Sequence, residues 1–235
     1  MVIGNGLIAK VFSKYKDNDE VIVFASGVSN SKEVNKKAYK KEELLLKDTL
    51  SKCNEKVFVY FSTTSIYDDE LKNSQYCLHK LYMEEIIKSS ATNYYIFRLS
   101  EVVGKSKNKY QIVNYFYNTI KNQESFTLWQ NACRRLIDIE DVYLLCDILI
   151  TNKIYINNTY NITTPQKINV VEIVTILEKI LNMKSKTKLE DKGSCYEIQG
   201  KCIYDILKNK TEFEYIWKRD YVNNLLTKYF VKKDA

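Results

Sequence analysis

Apolar residues fall in short blocks along this chain, and stretches of helical period separate them. The first block is Met1–Ile3, followed by Gly4-Asn5-Gly6 and an amphipathic stretch that predicts a helix from about Leu7 to Tyr15. Glu20–Ala25 (EVIVFA) and Lys56–Ser62 (KVFVYFS) are continuous apolar runs rich in β-branched and aromatic residues, the composition of strands covered on both sides. Asn93–Leu99 (NYYIFRL) is a fourth run of this kind. Between them, Asn30 or Ser31 can cap a Lys- and Glu-rich helix over roughly Lys32–Cys53, and Tyr76 to about Ser89 reads as another helix. Strands that alternate with helices in this way predict an α/β fold, a parallel sheet with helices on both faces.

Beyond Gly104 the alternation loosens. The pattern predicts a helix over Tyr110–Lys121, short strands at Phe126–Trp129 and Leu136–Ile139, a helix over Glu140–Thr151 and a strand at Thr159–Ile162. A well-formed amphipathic helix follows at Asn169–Asn182, and Lys201–Phe230 is mostly helical and aromatic. We expect residues 1–105 to form the first region. Residues 106–235 would complete the sheet and add a small C-terminal part, within one compact body.

The chain has 235 residues, 45% hydrophobic and 28% charged, which suits a soluble globular protein with one sizeable core. No apolar stretch approaches the roughly 18 residues that a membrane span needs. No basic segment precedes an apolar run at the N-terminus, so the expectation is a cytoplasmic protein without membrane contact. Net charge is +7, but the lysines are dispersed, which describes a solvated surface rather than a nucleic-acid site and also suits a small anionic substrate. The six cysteines form no CxxC pair and the chain has one histidine, so no metal site is expected and the cysteines read as free thiols. Gly4, Gly6, Gly27 and Gly104 all stand at or just after strand-like runs, where open α/β sheets bind ligands.

Candidate chemistry gathers at these strand ends. Tyr76 and Lys80 are four apart, so a helix places them one above the other on a single face. A neighbouring ammonium favours the ionised phenol, which lets a tyrosine move a proton near neutral pH. Thr63, thirteen residues upstream at the end of a strand, can bring a hydroxyl to the same point. This is the proton half of a carbonyl/alcohol redox site. Gly4-Asn5-Gly6-Leu7-Ile8-Ala9 fits G-x-G-x-x-A between a strand and a helix, a turn that lets a pyrophosphate approach the backbone closely. His79 faces away from the Tyr76/Lys80 side and reads as a rim or surface residue. Tyr67 reads as packing, and the charge-dense helix as a solvated face.

The ordered set GNGLIA at residues 4–9, FASG at 24–27, FSTTSIY at 61–67 and YCLHK at 76–80 resembles the short-chain dehydrogenase/reductase superfamily. It looks most like the extended branch of nucleotide-sugar epimerases, dehydratases and 4-ketoreductases. FRLSEVVG at 97–104, RRLIDIEDV at 134–142 and YNITTPQKINVVEIVTIL at 160–177 are similar to later segments of that branch. The resemblance implies a Rossmann-like fold and an NAD- or NADP-dependent oxidoreductase or epimerase acting on a nucleotide-linked sugar in surface polysaccharide biosynthesis. It implies a catalytic set of Thr63, Tyr76 and Lys80. It implies cofactor contacts at Gly4, Asn5, Gly6, Leu7, Ile8, Ala25, Ser26, Gly27, Ser62, Tyr76, Lys80, Leu99 and Ser100. Substrate contacts would come from Thr63, Thr64, Tyr76 and Arg134, the last on the substrate's diphosphate. Dimerisation through Lys32–Cys53 and Tyr76–Ser89 is also implied. Two departures stand out. Only about a dozen residues separate Ala9 from Val21, where the family inserts two further strands that hold adenosine, and Glu101 stands where asparagine is common. The alternative is a non-catalytic relative that binds a nucleotide sugar or a partner subunit.

Overall fold

The computed structural model describes residues 1–106 and 108–231. Its first half runs β1 (Val2–Ile3), α1 (Leu7–Val11), β2 (Val21–Phe24), α2 (Lys36–Leu50), β3 (Val57–Thr63), α3 (Gln75–Ser90) and β4 (Asn93–Leu99). Then come β5 (Glu101–Val103), α4 (Ile112–Lys121), β6 (Ser125–Trp129), β7 (Cys133–Arg134), β8 (Leu136–Asp138), α5 (Ile139–Thr151) and β9 (Asn158–Ile162). The last stretch holds β10 (Ile168–Asn169), α6 (Val170–Leu181), β11 (Lys186–Glu190), α7 (Ile203–Leu207) and α8 (Tyr221–Phe230).

The chain divides into two compact units. The first is Met1–Leu99, Ile139–Ile162 and Ile198–Ile203, and the second is the remainder of the described chain. Each unit is discontinuous in sequence, unlike the single division near residue 105 that the sequence suggests, because α5 and β9 return to the main sheet.

In the first unit a parallel sheet runs β1-β2-β3-β4-β9. Strand alternation divides its side chains between two covered faces. Ile22, Phe24, Phe58, Tyr60 and Ile96 pack with Leu46 and Leu50 of α2 and with Met83 and Ile87 of α3. On the opposite face Phe61 meets Phe12 with ring centroids 5.0 Å apart, and the Tyr95 hydroxyl donates to the Leu149 carbonyl of α5 at 3.0 Å. Seven successive buried residues in β3 follow from this double cover.

β1 is the edge strand, and among the described residues nothing pairs with its outer side. α1 ends at Val11, short of the expected Tyr15, and gives way to a 3-10 turn at Ser13–Tyr15. Phe12, fully buried, turns in against Phe61 and Tyr143 at that point. α2 begins at Lys36 with Asn35 as its cap, accepting from the Lys37 amide at 2.9 Å. Neither expected cap, Asn30 or Ser31, starts the helix, and Asn30 instead accepts from the Lys32 amide and closes a separate turn.

In the second unit α6 packs on β6, α4 and α8. Three two-stranded pairs, β5 with β8, β6 with β11 and β7 with β10, surround it in sequence. Asp138 accepts from the Tyr229 hydroxyl and the Lys228 ammonium, both at 2.7 Å, and so ties α8 to the end of β8. Cys133 and Cys195 form a disulfide with their Cα atoms 4.7 Å apart, which corrects the expectation of free thiols throughout. Cys53, Cys77 and Cys146 are buried thiols outside the disulfide, and Cys202, also outside it, is half-buried. Among the described residues no helix is long and apolar enough to cross a membrane. Among them, no cluster of three His, Cys, Asp or Glu is arranged to hold a metal ion.

Candidate active site

Parallel strands bring their carboxyl ends to one edge of the sheet, and the candidate residues of the first unit stand there. Ile3 pairs with Phe24, Phe24 with Tyr60 and Thr63 with Leu99, so Gly4, Ala25, Ser26, Gly27, Ser62 and Thr63 all lie at or just beyond strand ends. Such edges are the ligand-binding edges of open α/β sheets.

The glycine turn has two different glycines. Gly4 sits at φ +121°, and a Cβ there would stand 2.4 Å from the Ala25 carbonyl oxygen. No side chain fits that approach. Gly6, the N-cap of α1, is exposed and would meet nothing within 4 Å of an added Cβ. The turn is therefore tight on its inner side and open on its outer side. Asn5 is exposed, and Leu7 and Ile8 are half-buried. Ala9 is buried, as close packing of helix on strand requires.

Thr63 closes β3 in extended conformation and caps the 3-10 turn Thr64–Tyr67. Its hydroxyl donates to Ser65 Oγ at 3.0 Å and accepts from the Ser65 amide at 3.1 Å. Ser65, half-buried beside it, was not singled out by the sequence. Thr64 is fully buried, with its side chain inside the fold. The buried Ser62 hydroxyl has no hydrogen-bond partner among the described residues. An orphaned buried hydroxyl is costly and marks a place where a ligand atom can supply the missing bond.

Ser74 starts α3 by accepting from the Cys77 amide at 3.2 Å, which puts Tyr76 in the first turn and Lys80 one turn further on. Lys80 Nζ is 6.0 Å from the centroid of the half-buried Tyr76 ring. Tyr67 does packing work, accepting from Arg98 at 2.8 Å and donating to Asn161 at 3.2 Å. Arg98 also holds the buried Glu84 of α3 with two hydrogen bonds, at 2.9 and 2.6 Å, and so fixes α3 against β4.

The residue that sequence reasoning missed is Glu42. It lies on α2, whose charged face was read as solvated, yet its side chain is 2% exposed. Its carboxylate accepts from Lys80 Nζ at 3.0 Å, the Tyr60 hydroxyl at 3.1 Å and the Val28 amide at 2.8 Å, and meets His79 Nε2 at 3.2 Å. Burial acts to raise its pKa, but the Lys80 charge and these hydrogen bonds outweigh it and hold the carboxyl well below its ordinary range. Tyr60, fully buried, is raised well above the usual phenol by burial and then by Glu42. His79 is correspondingly a member of this network rather than a surface residue, with its ring 4.7 Å from that of Tyr39. Gly27 belongs here too. A Cβ on it would stand 2.6 Å from Glu42 Oε1 and 3.0 Å from Lys80 Nζ.

In the second unit the Ser100 hydroxyl is buried without a hydrogen-bond partner. Arg134, half-buried on β7, donates to the Cys133 carbonyl at 2.6 Å and has Glu101 at 4.0 Å. Arg135 donates to Glu197 at 3.0 Å, and Lys167 pairs with the same carboxylate. Arg134, Arg135, Lys167 and Tyr196 line one small pocket. A larger cavity, about 390 Å³, lies among Asn108, Asn114, Tyr117, Tyr229 and Phe230.

Residues 4–163 match the model of the NAD dependent epimerase/dehydratase family. Among solved structures, the chain is similar to a dTDP-4-dehydrorhamnose reductase from Clostridium acetobutylicum, at TM-score 0.68 and 13% identity over 96% of this chain and 98% of that one. It is also similar to a dTDP-glucose 4,6-dehydratase from Bacillus anthracis in complex with NAD, at TM-score 0.68 and 16% identity over 96% and 77%. A UDP-N-acetylglucosamine 4-epimerase from Bacillus cereus matches at TM-score 0.64 and 20% identity over 88% and 75%. A search of curated proteins finds no match.

Proposed function

The chain belongs to the NAD-dependent epimerase/dehydratase family, and from that premise we propose that it is an NAD(P)-dependent reductase or epimerase of a nucleotide-linked sugar. The observation that carries this reading is the placing of Tyr76 and Lys80 on one face of α3, with Lys80 Nζ 6.0 Å from the centroid of the half-buried Tyr76 ring.

The residues present fit the nicotinamide and pyrophosphate part of such a cofactor. Gly4 and Gly6 give a turn that is open outward, and the orphaned Ser62 and Ser100 hydroxyls are available as partners. Ala25, Ser26 and Leu99 border the same sheet edge in the first unit. A bound nicotinamide supplies hydride exchange. Tyr76 gives or takes the proton at the sugar oxygen, and Lys80 supplies the positive charge that favours the phenolate. Thr63 exchanges its bond with Ser65 for one to the same sugar oxygen. Arg134, beside Arg135 and Lys167, suits the substrate's diphosphate by charge and bidentate geometry. Surface polysaccharide assembly in the cytoplasm is the setting we assign. A homodimer through α2 and α3 is supported by their exposed Leu44, Leu78 and Tyr82.

The second reading, a non-catalytic binding relative, is favoured by the bare outer side of β1, where the family's adenosine-holding strands would pair. One experiment separates the two. NADH and NADPH fluorescence titrations and turnover of 4-keto and 4-hydroxy nucleotide sugars are measured for wild type and Tyr76→Phe. The enzyme reading expects nicotinamide binding in both proteins and a loss of turnover of about 10²- to 10⁴-fold in the variant. Absence of nicotinamide binding at millimolar concentration, together with no turnover, leaves the binding reading in its place.

A further inference from the structure

Three elements converge on one carboxylate at the candidate site. Glu42 comes from α2, Tyr60 from β3, and His79 and Lys80 from α3, while the Val28 amide adds a donor from the turn after β2. The Lys80 ammonium is also buried, 6% exposed, and donates to the Tyr60 hydroxyl as well, at 3.1 Å. Lysine carries a compact charge on a flexible four-carbon stem, so its position is set by whatever it pairs with. An ammonium that is buried without a counter-ion gives up its proton.

We propose that Glu42 is a positioning residue for the proton-transfer pair: it holds the Lys80 ammonium charged and fixed within reach of Tyr76 before any ligand arrives. This rests on the reading of Tyr76 and Lys80 as that pair. Gly27 is glycine because the carboxylate occupies the space a side chain would need. Lys80 then needs no cofactor hydroxyl to place it, and its charge reaches Tyr76 as one end of an ion pair. The other ionisable groups around it are Tyr39 from α2, Tyr60 from β3, and Tyr76, Cys77, His79 and Glu84 from α3, with Glu84 bound in turn by Arg98 of β4.

The test follows the charge of Lys80 directly. Protein labelled with carbon-13 at lysine Cε is titrated by NMR, and the Lys80 resonance is identified by its loss in Lys80→Arg. Glu42→Gln keeps the volume and removes the charge, and the Lys80 midpoint is expected to fall by about one pH unit or more against wild type. Gly27→Ala removes no ionisable group and crowds the carboxylate away from the Lys80 ammonium. It is expected to shift the midpoint in the same direction, and it decides the matter if Glu42→Gln does not fold. A Lys80 midpoint that stays within about 0.3 pH unit of wild type in the folded variant overturns the proposal. Because this readout needs neither cofactor nor turnover, a failure of the enzyme reading shows separately, as absent turnover with the Lys80 shift intact.

Discussion

At the scale of the residue, the buried Glu42–Lys80 pair makes stability depend on pH with a definite sign. The folded state holds the Glu42 carboxyl below its ordinary value of 4.5, so the unfolded chain binds its proton more readily. The stabilising contribution is then fully present above that value and is lost as pH falls below it. Urea unfolding of wild type and Glu42→Gln should differ most near neutral pH, by about 3 kcal/mol, since removing one partner leaves a buried charge alone. The gap should narrow as pH falls from 4.5 towards about 2. A gap independent of pH would mean that the two proteins differ by packing alone. The sequence did hold a signal for this residue. Tyr39, Glu42, Leu46 and Leu50 recur at helical spacing as the inward stripe of α2, so Glu42 is the one charge on that face. It was hidden because lysines and glutamates fill nearly half of the helix, and a count of charges does not say which one points inward. Tyr76, Lys80 and Thr63 were legible because their chemistry depends on spacing along one strand and one helix, which sequence shows directly.

At the scale of the element, helix starts decide where the candidate side chains stand. Ser74 caps α3 two residues ahead of Tyr76, and Asn35 caps α2 seven ahead of Glu42. Ser74→Ala removes the acceptor for the Cys77 amide and should cost about 1 kcal/mol in thermal or urea unfolding. Ser74→Asp, which can still accept that bond, should restore most of it. An alanine variant as stable as wild type would show that the tertiary hold of Arg98 on Glu84 alone fixes the helix. The main strands were readable from apolar runs because both faces of the sheet are covered. α1 was overestimated, since its pattern continues past Phe12 while the chain itself turns there to bury that ring on Phe61. The paired short strands of the second unit, and the disulfide between residues 62 positions apart, join distant segments whose pairing no local pattern encodes.

At the scale of the whole molecule, the order of the main sheet bears on which dinucleotide the proposed enzyme takes. Discrimination between NAD and NADP in doubly wound folds of strand order 3-2-1-4 comes from a group at the end of the second strand, which pairs with the first on the side that is bare in β1. Here β1 is followed by α1, a 3-10 turn and then β2, its only neighbour among the described residues. Calorimetry should therefore find Kd values for NADH and NADPH within about threefold of each other, a difference below 1 kcal/mol. A tenfold or greater preference would require a reader of the 2′ position elsewhere in the chain. The bare side of β1 also has a use. Strands can be added outside an edge without re-threading the strands already present, so β2, β3, β4 and β9 would keep their neighbours and registers. The stretch between Val11 and Val21 is accordingly the seam at which a strand–helix–strand insert could be spliced into this protein, widening the sheet outward while the Tyr76 end stays untouched.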